Sequence, residues 1–126
     1  MKLRALIPFA AAAAMLLSGC AAMAPASVKL DGNVLVTAGG MSLYTFDNDK
    51  AGSGKSVCNG PCAKNWPPLM VAGGDTAADN WAIIIREDSS RQWAYKGKPL
   101  YTWIKDAKPG DMTGDGFNKV WHLAKP

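Results

Sequence analysis

Cys58 and Cys62 offer the most reactive chemistry in this chain. On an extended strand their Cα atoms would lie about 13 Å apart, whereas a disulfide needs roughly 4.4–6.8 Å. Asn59-Gly60-Pro61 between them is turn-forming and can close that gap. A bridge over so short a loop contributes about 2 kcal/mol through chain entropy. The competing chemistry is redox exchange or copper binding, in which the two sulfurs are joined by His122, the only histidine, and by Met41, Met70 or Met112. Haem attachment in its usual form is excluded, because no Cys-x-x-Cys-His occurs. A second cluster, Asp111-Met112-Thr113-Gly114-Asp115-Gly116, follows the first half of a calcium loop. His122 then falls where that loop needs a bidentate glutamate, so Asp111, Asp115 and His122 form an incomplete ligand set, and a Gly/Asp turn is the plainer reading. Gly52-Ser53-Gly54-Lys55-Ser56 contains Gly-Lys-Ser, but its glycines are too closely spaced for a phosphate loop, and it reads as a flexible loop. Asp47 and Asp49 read as turn carboxylates rather than a hydrolase pair. No nucleophile elbow, zinc-type histidine pair or Ser/His/Asp order is present.

The third cysteine does different work. Lys2 and Arg4 precede a continuous apolar run, Ala5 to Leu17, followed by Leu17-Ser18-Gly19-Cys20. That order is a secretory signal, and the run is shorter than the roughly 20 residues a spanning helix requires. An ordinary signal ends on Ala-x-Ala; this one ends on cysteine and resembles a bacterial lipobox. The resemblance implies a signal peptide over 1–19, a fatty-acylated (palmitate-type) Cys20 and a tether over 20–27. Two or more acyl chains hold a protein firmly to a bilayer where one does not. Ala21 resembles the sorting signal for the outer membrane, facing the periplasm. Export also places Cys58 and Cys62 where disulfides form and persist.

The segment 28–126 is of one-domain size. The net charge of +4 includes Lys2 and Arg4 in the signal, and the remaining basic residues are scattered, which excludes a nucleic-acid footprint. Short apolar runs alternate with Gly, Asp, Asn and Pro, a strand-and-turn texture without helical periodicity. It predicts an all-β, antiparallel domain with little helix beyond the signal. Strands are expected near Asn33–Thr37, Ser42–Phe46, Trp81–Arg86, Gln92–Tyr95, Pro99–Ile104 and Lys119–Leu123. Trp81 to Ile85, apolar on both faces, is expected to be the most buried. Tight turns are expected at Ala38-Gly39-Gly40, Asp88-Ser89-Ser90 and Lys96-Gly97-Lys98.

The chain also repeats itself. Gly40-Met-Ser-Leu43-Tyr44-Thr45-Phe46-Asp47-Asn48-Asp49 aligns without gaps on Gly97-Lys-Pro-Leu100-Tyr101-Thr102-Trp103-Ile104-Lys105-Asp106, and each copy runs on to a tryptophan, Trp66 or Trp121. Two such β units would bury between them a face that neither buries alone. Alternation puts Tyr44 and Phe46 on one face and Leu43 and Thr45 on the other, and each closing aspartate can fix the turn after its strand.

The pairs Tyr44-x-Phe46-x-x-Asp49 and Tyr101-x-Trp103-x-x-Asp106 resemble the Tyr-x-(Phe/Trp/Tyr)-x-x-Asp motif of a bacterial secreted-repeat lipoprotein family, as do Cys58 to Leu69 and Pro109 to Gly116 around them. The resemblance covers nearly the whole of 28–126 and brings no assigned activity. Thioredoxin-fold copper chaperones present a comparable Cys-x3-Cys pair with a distant histidine, but their alternating strands and helices are missing here.

The five tryptophans belong mostly in a core. Trp93 and Tyr95, sharing a strand face, are the candidates for an exposed platform that binds a glycan or an envelope protein. The expected function is a non-enzymatic binding or structural role at the envelope, held by the membrane anchor and without a required cofactor. The alternative is a periplasmic copper or electron-transfer accessory built on Cys58 and Cys62, and a calcium-stabilised module is a third possibility.

Overall fold

The computed structural model describes residues 24–126, so the signal segment and Cys20 lie outside the described residues. Among the described residues seven short strands form three small antiparallel sheets. Strands β1 (Val28–Asp31) and β2 (Val34–Thr37) make a hairpin around Gly32-Asn33. Strand β3 (Tyr44–Phe46) pairs with β7 (Trp121–Leu123). Strands β4 (Trp81–Ile85), β5 (Arg91–Tyr95) and β6 (Lys98–Pro99) form the third sheet, in that order. Among the described residues one short α-helix, α1 (Pro61–Asn65), starts on a proline and follows Gly60, whose φ of 58° turns the chain into it.

The sheets are sewn together by isolated bridges, and their pattern is an exchange between the two copies. Tyr44 and Tyr101 trade backbone hydrogen bonds, N to O at 2.8 Å one way and 3.0 Å the other. Beyond that centre, the last segment of each copy pairs with the central strand of the other. In one arm Ala124 N donates to Leu43 O and Asp47 N to Val120 O, both at 2.8 Å. In the equivalent arm Leu69 N donates to Leu100 O at 2.9 Å and Ile104 N to Asn65 O at 3.0 Å. The copies are thus related by an approximate two-fold, and each completes its sheet with the other's tail.

This pairing separates two cores. Strand alternation sends Leu43 and Leu100 to one side and Tyr44 and Tyr101 to the other, and all four are fully buried. The aliphatic side gathers Val28, Leu35, Leu69, Trp81, Trp93 and Ala124 around the leucines. The aromatic side gathers Phe46, Cys58, Trp66, Trp103 and Trp121 around the tyrosines. A fully buried leucine contributes about 1.5–3 kcal/mol, so the central leucines anchor the exchange as much as the hydrogen bonds do.

Several expectations are corrected. Strand β1 lies ahead of the first expected strand. The apolar run of β4 occupies a sheet edge, with Ala82 exposed and Ile85 58% exposed. The central strand β5 is the more buried of the two. The stretch expected as Pro99–Ile104 is regular only to Pro99, then continues through the bridges at Tyr101 and leaves Ile104 exposed. The Lys96-Gly97 turn is as expected, with both residues at positive φ, 50° and 84°. Ala38-Gly39-Gly40 does fold the chain back, through the Val36–Ser42 bridge, although β2 takes β1 as its strand partner.

Candidate functional site

The repeated pattern converges on one aromatic column. Because β3 and β7 pair with Phe46 opposite Trp121, their rings stack at 4.2 Å and 8°. Trp121 in turn stacks on Trp66 at 3.8 Å and 3°, and Trp66 stacks on Trp103 at 4.0 Å and 23°. The order Phe46, Trp121, Trp66, Trp103 alternates between the copies and is symmetric about its middle. Each tyrosine stands edge-on to the tryptophan of its own copy, Tyr44 to Trp66 at 5.4 Å and Tyr101 to Trp121 at 5.1 Å. Stacked and edge-on contacts of this kind each contribute about 0.5–1.5 kcal/mol beyond burial.

The tyrosine hydroxyls cross between copies. Tyr44 donates to Asp106 Oδ2 at 2.7 Å and Tyr101 to Asp49 Oδ2 at 2.5 Å. Each aspartate meanwhile closes its own loop: Asp49 Oδ1 accepts from Val57 N, and Asp106 Oδ1 accepts from Thr113 N and Oγ1. The aspartates therefore fix turns, as their position suggested, and also clasp the opposite copy. Burial and the facing carboxylates push both phenols well above the ordinary tyrosine value. Burial also raises the Asp49 carboxyl, against the opposing hydrogen bonds of Tyr101 and Val57.

Behind Tyr101 runs a polar chain that motif reading missed. The Arg86 guanidinium, 6% exposed, donates to Ser56 Oγ at 3.0 Å, to Gln92 Oε1 at 2.7 Å and to Cys58 O at 2.6 Å. Ser56 Oγ lies 2.6 Å from the Tyr101 hydroxyl. Since Tyr101 donates to Asp49, Ser56 donates to Tyr101, and the hydrogen bonds run one way from guanidinium to carboxylate. Such a chain polarises each member and satisfies a buried charge that would otherwise be costly. The available signal was a lone arginine closing an apolar strand.

Cys58 and Cys62 are bridged, with Cα atoms 5.1 Å apart, because α1 curls the chain after the Asn59-Gly60 turn. The bridge flanks the aromatic column, with Cys58 fully buried. Asp111, Asp115 and His122 are not drawn together by their hydrogen bonds. Asp111 holds Ala107 N and the Lys108 ammonium, Asp115 accepts from Leu123 N, and His122 Nε2 lies 2.8 Å from Asp47. Among the described residues no group of three His, Cys, Asp or Glu side chains is arranged to hold a metal ion. Trp93 is 1% exposed and lies in the aliphatic core, with Tyr95 packed against it; covering by β1, β2 and the exchanged tail removes the platform expected there.

No curated protein and no solved structure matches the chain. A family profile matches it twice, over residues 27–70 and 82–125. The two matches take in one copy each and stop on either side of the loop between them, and on them the chain belongs to the family described as a secreted repeat of unknown function.

Proposed function

We propose that the protein is a lipid-anchored envelope module with a non-enzymatic structural or binding role, acylated at Cys20 and held at the outer membrane facing the periplasm. The observation that carries the reading is the internal engagement of the repeated tyrosine, aspartate and stacked aromatic side chains. Tyr44, Asp49, Tyr101 and Asp106 are buried and bonded across the copies. Phe46 and Trp103 cap an internal stack. A site for turnover would hold some of these groups open to a substrate; here they hold two halves together. Membership of a secreted family agrees with export. No helix among the described residues is long and apolar enough to cross a membrane. The test is metabolic labelling with palmitate followed by membrane fractionation. The wild-type chain should carry label and sediment with the outer membrane. Cys20→Ser should lose both label and sedimentation, and a substituted chain that is still processed and still sediments would overturn the reading.

A further inference from the structure

The aromatic column has one oxidisable end and one inert end. Trp103 and Phe46 are each 8% exposed, and the Trp103 end lies beside the exposed ring of Phe117. At the far end Phe46 presents a phenyl ring, a much poorer electron donor than indole. Between them Trp66 and Trp121 lie in unbroken stacking contact, 4.0 and 3.8 Å ring to ring. Each central indole touches a tyrosine edge whose proton already points at a carboxylate oxygen.

We propose that this assembly relays one-electron oxidation from the surface to an internal tyrosine. An oxidant of the small-radical or high-potential metal class takes one electron from Trp103, leaving an indole radical cation. Electrons from Trp66 and Trp121 pass the vacancy inward. Tyr44 or Tyr101 then supplies the electron, and its phenolic proton moves to Asp106 or Asp49, giving a neutral tyrosyl radical and a neutral carboxylic acid. A phenol- or quinol-class reductant returns one electron, and the carboxyl returns the proton. The direction is downhill, because a phenol that can shed its proton is easier to oxidise than indole. The hydrogen bonds to Asp106 and Asp49 give each phenolic proton a place to go as the electron leaves, and a carboxyl with raised proton affinity at Asp49 suits the receiving role. The Ser56 hydroxyl, backed by Arg86, supplies a hydrogen bond to the Tyr101 oxygen once it has lost its own proton.

The experiment is pulse radiolysis of the full chain in detergent, with azide radical as the one-electron oxidant of indole. Tryptophan-radical absorbance should decay as tyrosyl absorbance grows, at a rate independent of protein concentration and slower in D2O. Tyr44→Phe and Tyr101→Phe should each remove a large share of the tyrosyl signal, Asp49→Asn and Asp106→Asn should slow its growth, and Tyr95→Phe should leave most of it. Growth proportional to protein concentration, growth equally fast in D2O, or a signal carried mainly by Tyr95 would each refute the relay. Should a column variant fail to fold, Tyr95→Phe decides, because Tyr95 packs on Trp81 outside the column: a tyrosyl signal that survives this change upholds the relay, and one that disappears with it refutes the relay.

Discussion

At the scale of the residue, the two tyrosines carry more than their size. Removing one hydroxyl leaves a buried aspartate oxygen without its donor, and an unsatisfied buried polar group costs about 1–3 kcal/mol. Tyr44→Phe and Tyr101→Phe should each lower stability by about that amount in urea titrations; a loss well under 0.5 kcal/mol, the low end for a made hydrogen bond, would show that the clasps are idle. The same pairs set an alkaline limit. In the unfolded chain these phenols ionise near 10, and in the folded chain burial and the facing carboxylates hold them protonated to higher pH. Above that point the unfolded state releases protons that the native state keeps, so stability falls as pH rises. It is intact below 10 and is lost on the climb toward the folded values. Denaturation midpoints measured across this window should decline, and either Phe variant should show a shallower decline. An unchanged slope in both variants would remove the tyrosines from the account.

At the scale of the element, the column depends on a residue that adds nothing to it. A Cβ on Gly114 would come 2.8 Å from the Trp66 ring and 3.0 Å from Trp103. Both rings are wedged in the stack and have no flexible end to yield. Gly114→Ala should cost about 1–3 kcal/mol, the usual range for overpacking, and should weaken near-ultraviolet circular dichroism from the tryptophans; native-like spectra and stability would show the stack to be loose. Much of this level was legible in the sequence. Period-two alternation separated Leu43 from Tyr44, the constant spacing of the copies announced their kinship, and Asn59-Gly60-Pro61 announced the turn that the disulfide closes. What escaped depends on distant partners. The run Trp81 to Ile85 looks central, but edge or centre is decided by which strands arrive, and only β5 does. Trp93 looks available until the other layer covers it. Arg86 only closes its expected strand, because nothing nearby in sequence tells that Ser56, Cys58 and Gln92 will meet it. Strand β1 alternates apolar and polar residues but is only four residues long and exposed at three of them, so its signal is short and it is held by its turn and its partner.

At the scale of the whole molecule, the exchange makes the halves interdependent. The first copy's Leu43 and Tyr44 pair with residues 124 and 101, and the second copy's Leu100 pairs with residue 69. A lone copy would therefore expose its central leucine, its tyrosine and one side of its aromatic pair, and would leave a central strand without its neighbour. Small units of this size bury too little surface to fold unaided. The loop that joins the copies, by contrast, is mostly exposed from Ala72 to Asn80 and takes little part in the cross-copy pairing. Dividing the chain between Gly73 and Gly74 should thus remove connectivity while keeping nearly every contact that matters. Each fragment alone should lack a cooperative thermal transition. An equimolar mixture should regain one, with the tryptophan spectrum of the intact chain and a midpoint that rises with total concentration, as two-chain assembly requires. A single fragment that melts cooperatively by itself would mean that the tails fold back onto their own copy, the arrangement that domain-swapped proteins adopt when unswapped. The exchange would then be one option among two rather than the condition of folding.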